Sequence, residues 1–86
     1  MGRVVVKFQV MPTGPEVDVA PLREDLQRAF GNDLRDVAKN PVAFGLVGLD
    51  AVILLDDNEG AVKEAEQAIR ALGGVGNVEI VSVDLV

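Results

Sequence analysis

The stretch Leu46-Val47-Gly48-Leu49-Asp50-Ala51-Val52-Ile53-Leu54-Leu55 is apolar at both odd and even positions and ends in Asp56-Asp57-Asn58. A half-buried strand alternates apolar and polar residues, so a run that is apolar on both parities predicts a strand in the interior of a sheet. Gly48 within it suggests a bulge. Immediately upstream, Leu34 to Lys39 reads as a weaker strand whose pattern is blurred by its charges. Asn40-Pro41 interrupts it, because proline cannot donate to a sheet ladder. Further upstream, Asp18 is a good helix N-cap and Pro21 is tolerated in the first turn. Leu22, Leu26, Ala29 and Phe30 recur at helical spacing until Gly31-Asn32 stops the helix, and Glu24 and Asp25 near its start suit the helix dipole. From Arg3 to Met11, Val4, Val6, Phe8 and Val10 alternate with Arg3, Lys7 and Gln9, the pattern of a strand with one buried face.

Downstream of the central run, Asn58 or Asp57 caps a second helix whose stripe is Val62, Ala65, Ile69 and Leu72, and Gly73-Gly74 stops it. Val78 to Val86 is a closing strand. The order strand, helix, strand, strand, helix, strand predicts an α+β, ferredoxin-like βαββαβ sandwich, with a four-stranded antiparallel sheet and two helices on one face. If Val78 and Ile80 face the helices, simple alternation turns Val81, Val83 and Leu85 outward beside Val5, an apolar strip suited to contact.

At 86 residues the chain has room for one domain with a modest core, and residues 1–86 are expected to form it. There is no cysteine and no histidine. Thiolate and imidazole metal sites and the Ser-His-Asp or Cys-His constellations are therefore excluded, and no cofactor is implied. The net charge is -6, with eight basic residues scattered along the chain. Nucleic-acid affinity comes largely from neutralising phosphates, so direct nucleic-acid binding is disfavoured and a basic protein partner is better suited. Lys7 and Gln9 interrupt the first apolar run before a signal peptide could form, and Ala51 to Leu55 is far shorter than a membrane span. A cytoplasmic protein without membrane attachment is expected, and a monomer.

The carboxylates of Asp56-Asp57-Asn58-Glu59 lack the spacing and central glycine of a calcium loop and are better explained by helix capping. Gly73, Gly74 and Gly76 lack the Lys-Ser/Thr of a phosphate loop. An RNA-recognition sheet needs paired aromatic platforms, whereas Phe8 lies alone in a strand and on the buried parity. An acylphosphatase-like enzyme needs an arginine-bearing cradle after the first strand, and Met11 to Val17 contains no basic residue. Phe44 remains. Pro41 stiffens the backbone on one side and Gly45 frees it on the other, which suits an aromatic projected as an anchor as well as one that caps the core.

The segment Asn40-Pro41-Val42-Ala43-Phe44-Gly45-Leu46 resembles the Pro-Ile/Val-Ala/Gly-Phe-Gly-Ile/Leu signature of the elongation factor 1-beta family. The opening Val4-Val5-Val6 strand closing in Val10-Met11-Pro12, the acidic Asp56-Asp57 and the valine-rich final strand lie in similar places. The resemblance covers essentially the whole chain, and the absence of an appendage before the first strand is similar to the short archaeal form. It implies a ferredoxin-like fold and a guanine nucleotide exchange factor that acts on the aminoacyl-tRNA-carrying GTPase elongation factor 1-alpha. It further implies that Phe44 inserts into a pocket of that GTPase, held by Pro41 and Gly45 with Val42 beside them. Eukaryotic members carry a lysine pair where Val47-Gly48 stand here, and a lysine near the C-terminus that intrudes on the GTPase magnesium site. This chain ends Ser82-Val83-Asp84-Leu85-Val86, so that mechanism does not carry over, and Leu85 and Val86 are apolar contact candidates. The rival from another class is a small ligand-binding or regulatory domain that dimerises through its sheet face.

Overall fold

A computed structural model describes residues 2–42 and 45–86. Strand β1 (Arg3–Pro12) leads into helix α1 (Val19–Phe30), and a short 3-10 turn connects α1 to β2 (Leu34–Pro41). Strand β3 (Val47–Asp56), helix α2 (Glu59–Arg70) and strand β4 (Val75–Leu85) complete the chain. The sheet order is β2-β3-β1-β4 and every pairing is antiparallel. This is the α+β, ferredoxin-like arrangement, with the doubly apolar run at an interior position of the sheet.

The alternation in β1 buries Val4, Val6, Phe8 and Val10, which stand opposite Leu55, Ile53, Ala51 and Leu49 of β3. Directly opposed residues share a face, so these form the floor on which the helices sit. Leu22 and Leu26 of α1 and Ala65 and Ile69 of α2 close the core from above. Both helices start as their caps dictate: Asp18 Oδ1 accepts from the Ala20 N–H at 3.0 Å, and Asn58 Oδ1 from the Ala61 N–H at 2.7 Å. Each satisfies an N–H that a first turn otherwise leaves unpaired. Glu24 and Asp25 lie beyond the first turn of α1, which contains no acidic residue. Asp25 instead pairs with Arg28 one turn later. Ala29 is exposed, so the buried stripe of α1 is Val19, Leu22 and Leu26, with Phe30 partly covered.

Several sequence expectations are corrected. Strand β2 continues through Asn40 to Pro41 because it is an edge strand, where a residue without an N–H is tolerated. β4 starts three residues early, with Val75 opposite Pro12. The central run has no bulge at Gly48, where Asn40 pairs in unbroken register. Register shifts lie instead in β2, between Leu34 and Asp36, and at two points of β4, of which the one at Val81 sets the parity of its end. Lys7 pairs with Ser82 and Phe8 with Ile80, leaving Val81 as the extra residue. One extra residue reverses the parity of everything beyond it. Val83 and Leu85 therefore stand opposite Val6 and Val4 on the helix side, while Ser82 and Asp84 occupy the open face beside Lys7 and Val5. Val83 and Leu85 are thus missing from the apolar strip expected on the open face, where Val5 is flanked by Leu54 and Asp84.

Candidate functional site

The turn between β2 and β3 is built by its two flanking strands. Pro41, the last residue of β2, faces Val47, the first of β3. The Val42 N–H then donates to the Leu46 carbonyl at 2.8 Å, closing the loop. Gly45 has φ 75, in the left-handed region where a side chain costs about 1 kcal/mol or more. The glycine of the signature is thus required by backbone geometry. Pro41, Val42 and Gly45 lie together in this turn. Phe44, like Ala43, lies outside the described residues.

Below the turn, the three neighbouring strands are tied by one carboxylate. Asp50 of β3 accepts from Asn40 Nδ2 of β2 at 3.3 Å and lies 3.9 Å from Lys7 Nζ of β1. Sequence reasoning missed this clamp. Its signal was a lone acid inside an otherwise apolar run, which a sheet interior tolerates only with partners.

Gly48 was also misread. A Cβ there would lie 2.8 Å from the Val10 carbonyl oxygen and 3.0 Å from Met11 Sδ. β1 crosses this point too closely for any side chain, so the lysine pair of the eukaryotic pattern has no room at its second position. Gly48→Ala is expected to destabilise the protein by about 1–3 kcal/mol through overpacking against backbone, measured as a lower urea midpoint. An unchanged midpoint would show that β1 yields freely.

The remaining candidates lie elsewhere. Leu85 stands opposite Val4, and the Val86 N–H donates to the Arg3 carbonyl at 3.1 Å. Both side chains are 79% exposed. Pro41 and Val47 mark one end of the sheet, and Leu55, Val4 and Leu85 the other. From Val47 to Leu55 the strand advances about 26 Å. The turn and the C-terminus therefore do not form one pocket; a partner touching both must extend along the whole sheet. Among the described residues no polar side chain is buried, and no three acidic side chains converge to hold a metal ion. No helix among the described residues is long and apolar enough to cross a membrane.

Residues 5–86 match the family model of the EF-1 guanine nucleotide exchange domain. The chain is 36% identical over 85 residues to elongation factor 1-beta of Methanothermobacter thermautotrophicus, covering 96% of each chain. It is 38% identical over 86 residues to the protein of that name from Methanoculleus marisnigri, with both chains covered completely. The corresponding protein of Methanococcus maripaludis is 36% identical over 89 residues, again over the full length of both. A proline-to-glycine turn seated on a ferredoxin-like sheet thus occurs in a chain that belongs to the EF-1 guanine nucleotide exchange domain family.

Proposed function

We propose that this chain promotes GDP release and GTP reloading on elongation factor 1-alpha, with the turn Pro41 to Leu46 as its main contact. Family membership carries the exchange activity, and the closed loop geometry at Val42, Gly45 and Leu46 supports the choice of site. A factor that binds the nucleotide-free GTPase more tightly than the loaded one must, by linkage, weaken nucleotide binding by the same ratio. Such work needs no acid, base or cofactor from the factor itself. Displacing the segments that clasp the nucleotide is sufficient.

In this reading Phe44 is the anchor, Pro41 and Gly45 set the path of the loop, and Val42 packs beside it. The exposed apolar Leu85 and Val86 make a second contact at the far end of the sheet, in place of a terminal lysine. The whole chain acts as a single exchange domain and as a monomer in the cytoplasm, without touching nucleic acid or membrane.

Release of a fluorescent GDP analogue from elongation factor 1-alpha tests the activity. Acceleration by the intact chain is expected, and its absence overturns the proposal. Deleting Leu85 and Val86 is expected to slow the stimulated release by up to about tenfold, the loss of a contact worth ~1.4 kcal/mol. An unchanged rate removes the C-terminus from the contact surface.

A further inference from the structure

The bulge in β4 has an effect beyond parity. It turns Val83 to the helix side at the sheet's edge, beside Ile80, and the two remain 52% and 42% exposed. With Val4 and Val62 they floor a cleft of about 650 Å³ between α2 and β4. Its rim carries Asp57, Glu59 and Glu66, and Lys63 is the one cation among the described residues that line it. Among the described residues β4 ends the sheet order; Arg70 donates to its Val78 carbonyl at 3.0 Å, and from Glu79 onward its outer side has no strand partner.

We propose that this cleft docks a basic, extended segment of a partner protein, added as a fifth strand along the free edge of β4. Strand addition supplies main-chain hydrogen bonds, and alternate side chains of the incoming segment point to one face. On the helix side they meet Ile80, Val83 and Val62, which selects apolar residues at every second position. Lysine or arginine between them points to the open face, where Glu79 and Asp84 stand beside Gln9 and Val5. Charge decides between this occupant and a second copy of the chain. β4 contains Glu79 and Asp84 and no basic residue, and each molecule carries a net charge of -6. Antiparallel pairing of two β4 edges would set these acids and the two rims against each other, which is unfavourable.

The cleft lies on the flank of the sheet and toward the end opposite the turn at Pro41 to Leu46, so the turn stays free when the cleft is filled, while Leu85 and Val86 adjoin it. The inference rests on the cleft and stands whether or not the turn drives exchange.

The test is a titration of the isotope-labelled full chain with a short peptide alternating lysine and valine, read from backbone amide shifts. A peptide alternating glutamate and valine serves as control. Expected are shifts confined to Val78–Leu85 and Glu59–Glu66 with the lysine peptide, weakening as salt is raised. Glu79→Lys is expected to weaken binding by about threefold at low salt, and Val83→Lys by at least about tenfold. Both sites are exposed, and retained amide dispersion confirms the fold. Phe44→Ala is expected to leave this binding unchanged. Equal binding of the glutamate peptide, shifts located elsewhere, or a dimer formed through β4 in sedimentation would overturn the proposal.

Discussion

Exchange of Phe44 for alanine is expected to slow the stimulated release of GDP by about thirtyfold or more, equivalent to ~2 kcal/mol lost from the complex. Large losses of this kind come from an aromatic that fills a partner's pocket with water excluded around it. The loop geometry favours that role. Pro41 ends an edge strand, the Val42 to Leu46 hydrogen bond closes the turn, and Gly45 takes a conformation that other residues adopt at a cost. Two measurements separate an anchor from a core residue. Release kinetics report the contact, and the thermal midpoint reports the fold. An anchor predicts slow release with a midpoint within about 4 °C of the parent. A large fall in midpoint would return Phe44 to the core, and full stimulation by the variant would remove it from the site.

Phe8→Ala should have the largest effect on stability. Phe8 is fully buried at the centre of β1, between Ala51 of β3 and Ile80 of β4. Removing a ring from such a position costs about 3–5 kcal/mol, part for lost transfer and part for the cavity left behind. A chain of 86 residues has a total stability of roughly 4–13 kcal/mol. The substitution thus consumes much of what holds the fold together. Urea denaturation followed by circular dichroism should show a midpoint lowered by at least about a quarter, or no folded baseline at all. A shift of less than about 1 kcal/mol would mean that α1 and α2 collapse onto the sheet and refill the space. The same burial explains why the lone strand aromatic offers no platform for a nucleic-acid base.

The elements with a clean period were legible. Val4, Val6, Phe8 and Val10 alternate without interruption, and β1 buries those four side chains. Leu22 with Leu26, and Ala65 with Ile69, mark the buried stripes of the two helices, and Asp18 and Asn58 cap them as their chemistry requires. Within the candidate site, Pro41 and Gly45 were readable because each constrains its own backbone. The Lys7, Asp50 and Asn40 clamp was not, since its members lie on three strands and meet only through register.

Local chemistry therefore determined which segments form helices and strands, and the spacing from Pro41 to Gly45 marked the turn. Those properties depend on neighbours a few residues away. Tertiary structure decided the rest. Gly48 is glycine because β1 passes within 2.8 Å of where its Cβ would stand, a contact that no local pattern encodes. Val81 is the extra residue in β4 because Ile80 and Ser82 must match Phe8 and Lys7 on another strand. That one-residue surplus carries Val83 and Leu85 to the helix side and leaves Ser82 and Asp84 on the open face. The face on which an apolar residue stands is set by pairing between strands, and a pairing shift of one residue is enough to reverse it.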